Sequence, residues 1–146
     1  MTACRIVIAG LLVIMGAGCA SHAHRLTPGA GPFLRGQFDH SSQERTVLIL
    51  ETGSTRYEAA GFPVETHSDL QSLRSRYYAT DRRHWERIVA NLDPGHTLWS
   101  AEANPRSANG AQLLCRITWT ATQAPAGFCA DPNGSILDIF FDKEID

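Results

Sequence analysis

Apolar and polar positions divide the chain into stretches of different period. Ile6 to Met15 is a continuous apolar run. As a helix it reaches about 15 Å, half of a hydrocarbon core and too short for a membrane span. Residues 19–32 offer little to bury and are interrupted by Gly and Pro, so they are expected to be a flexible tether. Phe33, Leu34 and Phe38 bring hydrophobic content back and predict a first short strand. Thr46 to Leu50 is β-branched and continuous, a buried strand. Thr52-Gly53 is expected to turn it into the alternating Ser54 to Ala59, forming a hairpin that ends at Gly61-Phe62-Pro63.

The period then changes. Leu70, Leu73, Tyr77, Tyr78, Trp85, Ile88, Val89 and Leu92 are spaced mostly by three and four, which predicts one helical segment over about 68–92. Ser68 and Gln71 have the spacing of a capping box. Thr80 or Asp81 offers a second cap, with a break near Ala79–Asp81. Asp93-Pro94-Gly95 stops the helix. His96 to Ala103 is a strand, with Thr97, Trp99 and Ala101 on one face.

In the C-terminal third, Ala111 to Thr122 alternates. Leu113, Cys115, Ile117 and Trp119 share one face, and Leu114, Arg116, Thr118 and Thr120 the other. Asp131-Pro132-Asn133-Gly134-Ser135 fits a type I turn with a G1 bulge. That loop sets Cys129 opposite Leu137, and places Leu137, Ile139 and Phe141 beside Cys115, Ile117 and Trp119. A two-residue Asn-Gly turn would instead bury Asp138 beside Cys129, so the bulged register is expected. The elements make an α+β domain: a small antiparallel sheet, sandwich or partial barrel, one helical segment, and a C-terminal β-meander stapled by a disulfide.

Composition and cysteines add an address. The positive n-region residue Arg5, the apolar run, and the small residues Gly16, Ala17 and Gly18 before Cys19 form a secretory signal. This stretch resembles the lipobox of bacterial lipoproteins, although Gly16 stands where an aliphatic residue is usual. The resemblance covers residues 1–19 and implies that Cys19 is acylated, with palmitate among the acyl groups, and becomes the first residue of the mature chain. Ala20 after it resembles the pattern sent to the outer membrane, facing the periplasm. An ordinary signal cut, for example after Ala23, is the alternative. Residues 1–18 are then signal, 19–32 lipidated N-terminus and tether, and 33–146 one globular domain. Without residues 1–18, 128 residues remain, enough for a single core. In an oxidising compartment Cys115 and Cys129 are expected to pair. The pattern Cys-x-x-x-Trp, Gly-x-Cys and Asn-Gly is similar to that of other small exported bacterial proteins of unknown role.

Chemistry is sparse. The net charge of −2 becomes −3 on loss of Arg5, which excludes a general nucleic-acid role. No phosphate loop, HExxH, CxxC, GxSxG or EF-hand sequence is present. His22 and His24 lie one residue apart in a linker that supplies no further metal ligand, so they read as a solvated spacer. His84-Trp85-Glu86 has the wrong spacing for a helical metal pair, and His67 and His96 read as surface or cap residues. Asp131, Asp138, Asp142, Glu144 and Asp146 make calcium conceivable, but alternation puts Asp138 and Asp142 on a solvent face. Arg74, Arg76, Arg82, Arg83 and Arg87 form a possible anion-binding patch, set against the plainer reading of a solvated helix face. No metal or other cofactor is expected, and catalytic residues are not identifiable. The expectation is a non-catalytic envelope lipoprotein, held by its lipid anchor and binding an envelope protein or polymer. Inhibition of an envelope-targeting hydrolase such as lysozyme, or a hydrolase assembled from distant residues, are the alternatives.

Overall fold

A computed structural model describes residues 22–29, 31–41, 45–68, 70–90 and 97–143. Cys19, His96, Glu144 and Asp146 lie outside them, so the expected acylation site is not among the described residues. The fold is an antiparallel β-sandwich with a helical layer on one side.

The first sheet contains β1 (Ala23–Arg25), β2 (Arg35–Asp39), β3 (Val47–Glu51), β4 (Arg56–Ala60) and the short β7 (Arg106–Ser107), in the order β1-β2-β3-β4-β7. The second contains β5 (Val64–His67), β6 (Leu98–Ala103), β8 (Leu114–Thr120), β9 (Ala126–Ala130) and β10 (Ile136–Phe140), in the order β10-β9-β8-β6-β5. Along one side the sheets meet, where Leu26 bridges Phe141 and the Thr27 amide donates to the Phe140 carbonyl at 2.8 Å. This seam makes the sandwich a partial barrel without closing it.

Residues 22–29 are therefore not a flexible tether. Ala23, His24 and Arg25 pair with Asp39, Phe38 and Gln37, and Leu26 is 7% exposed. The low hydrophobicity of this stretch is that of an edge strand, whose backbone pairing needs few apolar side chains. The β3–β4 connection also differs in detail: Glu51 pairs with Arg56, and the Thr52 amide donates to the Thr55 carbonyl, so the loop has four residues rather than a two-residue turn.

The C-terminal meander matches its sequence reading. Cys115 pairs with Cys129 across β8 and β9, and the two are joined in a disulfide. Leu137 pairs with Cys129 across β9 and β10. Asp131 and Ser135 close the loop, Gly134 takes a φ of 84°, and Asp131 Oδ1 accepts from the amides of Asn133 and Ser135. A two-residue type I′ turn would need positive φ at Asn133 as well, and among the described residues none but glycines has it. Cys115, Ile117, Trp119, Ile139 and Phe141 then share one core with Phe38, Leu48 and Leu50 of the first sheet.

The helical segment is two helices, α1 (Gln71–Tyr78) and α2 (Arg82–Ala90). The Ser68–Gln71 capping box does not form, because α1 begins beside Leu70 with no side-chain cap. Asp81 does cap α2, its Oδ1 accepting from the amides of Arg83 and His84 at 3.0 and 3.3 Å. The helices pack on the outer face of the second sheet, where Leu73, Tyr77, Trp85 and Ile88 meet Leu98 and Phe128. The face carrying Arg116, Thr118 and Thr120 is thus covered rather than solvated, with Thr118 only 2% exposed.

The helical layer creates an acid-sensitive point. His84 is buried, and its Nδ1 accepts from Arg87 Nη2 at 3.0 Å, which leaves the proton on Nε2 beside Thr118 Oγ1. Burial first, and Arg87 second, lower its pKa from 6.5 to about 3. The unfolded chain therefore binds an extra proton between those limits. Stability from this group is complete above pH 6.5 and is lost as pH falls toward 3. The limiting slope is about 1.4 kcal/mol per pH unit. Urea midpoints followed across this range should fall with that contribution, and His84→Gln should flatten the profile. A variant as pH-sensitive as the parent would refute the role given to His84.

Candidate functional site

An open cleft of about 790 Å³ lies at one end of the sandwich. Strand pairing builds its floor. Thr66, Trp99 and Trp119 lie directly opposite one another on β5, β6 and β8, so one row across the sheet carries two indoles and a hydroxyl. Trp119 is buried, whereas Trp99 is partly buried. The β8–β9 loop adds Thr122 and Gln123, and Lys143 stands at the rim.

The opposite wall comes from β1 and the end of β2. His22, which precedes β1, and His24 within it are one residue apart and so share a face of the extended chain, and the His40 amide donates to the His22 carbonyl at 3.1 Å. The His22 and His40 rings stack with centroids 5.3 Å apart, and the His24 and His40 rings at 5.1 Å. His40 also lies 4.6 Å from the Trp119 ring. His24 is buried, in contrast to the expected solvated spacer. Its Nδ1 lies 2.9 Å from the Asp142 carbonyl, and its Nε2 lies 3.0 Å from His40 Nε2. A carbonyl only accepts, so Nδ1 of His24 carries a proton. With both rings neutral, His40 then donates its Nε2 proton to His24. Burial, then the neighbouring His24 and His22, lower the His40 pKa from 6.5 to about 4, which keeps this ring neutral near pH 7.

A second group has hydrolase-like residue types in the wrong arrangement. His67 Nε2 is 2.8 Å from Ser100 Oγ and 3.5 Å from Glu65 Oε2. A catalytic triad needs the acid on the other ring nitrogen, to orient the base. Here serine and carboxylate share one nitrogen, and Ser100 is only 2% exposed. Tyr77, whose pKa burial raises to about 12, also hydrogen-bonds Ser100. His67 is thus a packed strand residue rather than a surface cap, with its pKa lowered chiefly by burial. This polar cluster joins β5, β6 and α1.

Three of the five arginines are paired with carboxylates. Arg76 pairs with Glu65, Arg82 with Glu86, and Arg83 with both Asp81 and Asp138. Arg87 is half-buried, donating to the Ala126 carbonyl as well as to His84. The guanidinium carbons of Arg74 and Arg82 lie 5.6 and 5.7 Å from the Tyr78 ring centre. Asp138 is partly buried and paired with Arg83, and Asp142 is exposed, its Oδ1 accepting from Thr27 at 2.9 Å.

The residues that sequence reasoning missed are those of the cleft. Their one local signal is His22-Ala23-His24, a spacing that puts both imidazoles on one face once the segment is a strand. Comparison with protein-family models, with curated proteins and with solved structures gives no match.

Proposed function

We propose that this chain is a non-catalytic lipoprotein of the bacterial cell envelope, anchored through acylated Cys19, whose domain binds a saccharide group in the cleft. The cleft carries the reading. Its volume is in the range of small-molecule sites. A sugar ring has C–H faces that stack on indole and hydroxyls that need hydrogen-bonding neighbours. Trp99 offers the first, and Thr66, Thr122 and Gln123 the second. The His67–Ser100 group does not have hydrolase geometry, which favours binding over turnover.

The anchor and the cleft are close along the chain. Two residues, Ala20 and Ser21, separate Cys19 from His22, so their Cα atoms are at most about 11 Å apart. An acylated Cys19 would hold the cleft near the periplasmic surface of the bilayer, on the side where the saccharides of peptidoglycan lie. Membrane fractionation tests the anchor: Cys19→Ser should move the protein from the membrane to the soluble fraction, and unchanged membrane association would remove the anchor from the account.

Intrinsic fluorescence tests the cleft. Saccharide fragments released from peptidoglycan and from lipopolysaccharide should be titrated separately against the full-length protein. At least one set is expected to change tryptophan emission saturably, with affinity reduced tenfold or more, about 1.4 kcal/mol, in Trp99→Ala. No binding by either set, or equal binding by the variant, would contradict the saccharide reading.

A further inference from the structure

Charge is sorted around the cleft. Lys143 is the one lysine of a chain with twelve arginines, and it stands at the cleft rim. Its backbone is pinned from two sides. The Asp142 amide donates to the Arg25 carbonyl at 2.8 Å, and the Asp142 carbonyl, part of the peptide bond to Lys143, accepts from His24 Nδ1 at 2.9 Å. The lysine side chain is exposed and makes no hydrogen bond or ion pair among the described residues. Arg76, Arg82, Arg83 and Arg116, by contrast, are each held by a carboxylate.

Negative charge is turned away from the same space. Among the described residues, Asp39, Glu65 and Asp142 adjoin cleft residues along the chain, and each is engaged elsewhere. Asp39 Oδ1 accepts from the Ser41 amide at 2.9 Å, Glu65 pairs with Arg76 at 3.1 Å, and Asp142 Oδ1 accepts from Thr27 at 2.9 Å. The described lining holds Lys143 and no arginine, aspartate or glutamate. One positive charge therefore stands at the mouth with no negative charge in the lining to offset it.

We infer that the cleft takes an acidic saccharide, whose carboxylate pairs with Lys143 while its ring stacks on Trp99. This rests on the saccharide reading and narrows it to sugars that carry a carboxylate. One ammonium is a compact point charge and balances one monoanion. A phosphate group carries close to two charges and favours guanidinium forks, and no arginine is in the described lining. Muramic acid of peptidoglycan and the ulosonic acids of lipopolysaccharide share the required chemistry. Because the pair is exposed, its contribution is modest and is screened by salt. Lys143 thus sets the preference among saccharides, and the indole supplies the contact common to all of them.

The test compares each sugar acid with its own carboxamide, which keeps the ring and removes the charge. A disaccharide containing N-acetylmuramic acid and a ulosonic acid saccharide are titrated separately, as acid and as amide, into full-length protein in detergent by calorimetry. At least one acid should bind more tightly than its amide by about fivefold, the upper range for an exposed pair. The preference should shrink between roughly 0.01 and 1 M salt. It should vanish in Lys143→Ala, persist in Lys143→Arg and reverse in Lys143→Glu, with amide binding unchanged in Lys143→Ala. Circular dichroism checks that the variants fold. Equal binding of acid and amide by the parent, or a full preference retained in Lys143→Ala, would overturn the acidic class and leave the saccharide reading standing. Failure of every acid and amide to bind would overturn both.

Discussion

Gly127→Ala should abolish stable folding. Gly127 sits in β9 between Ile117 of β8 and Ile139 of β10, at the centre of the C-terminal meander. A methyl group there would lie 1.8 Å from the Arg116 carbonyl oxygen and 2.9 Å from the Ile117 Cα. Both obstacles are backbone, so no rotamer relieves the contact. The strands must separate, which breaks the register that aligns Cys115 with Cys129. The cost should be at least about 4 kcal/mol, in the range reserved for gross backbone or core disruption. Total stabilities are only about 5–15 kcal/mol, so most of the protein should be unfolded or aggregated. Gly53→Ala is the control, because its nearest neighbour is a Leu34 methyl at 4.0 Å, and it should stay within about 0.5 kcal/mol of the parent. Urea denaturation of both variants measures this. A Gly127→Ala protein less than about 1 kcal/mol weaker than its parent would show that the strands are not paired this closely.

The next largest effect should come from the disulfide. Cys115 and Cys129 are 14 residues apart and both fully buried. In the chain-entropy model, a loop of about 15 residues closed in the unfolded state contributes about 3 kcal/mol. The paired substitution Cys115→Ala with Cys129→Ala removes that constraint without leaving a buried thiol. The urea midpoint should fall accordingly, and the melting temperature by roughly 10 °C for a domain of this size. Intact-mass measurement after alkylation should find neither Cys115 nor Cys129 labelled until reductant is added. Labelling without reductant, or a double variant as stable as the parent, would contradict the bridge as a stabilising element.

The parts legible in the sequence are those governed by local chemistry. Asp131, Asn133 and Gly134 specify one turn, that turn specifies one register, and the register places Cys129, Ile139 and Phe141 on the core face. Spacing of Leu73, Tyr77, Trp85 and Ile88 predicts helical structure, and Asp81 marks the break between its two pieces. The covered outer face of the second sheet was harder to read, because alternation along one strand is silent about a third layer. The signal was present in the uncharged Thr118 and Thr120 and in Ser100 and Leu98 opposite them, positions that are small or apolar beside the single Arg116–Glu102 ion pair. The cleft was least legible. It depends on β1 joining β2, on His40 arriving from a separate strand end, and on the Trp99–Trp119 pairing across β6 and β8. None of these is local, and a His-x-His segment rich in small residues reads equally well as a spacer.

A saccharide held in the cleft at the membrane surface is tested most directly by crosslinking in living cells. A photoreactive residue replacing Thr122, which is exposed and lines the cleft, should give an ultraviolet-dependent adduct whose mass and lectin reactivity identify a saccharide. The same residue replacing Glu58, on the outer face of β4, should give none. A saccharide adduct at Thr122 that disappears in Trp99→Ala is the predicted result. No adduct at Thr122, or the same adduct at Glu58, would contradict the cleft as the binding site.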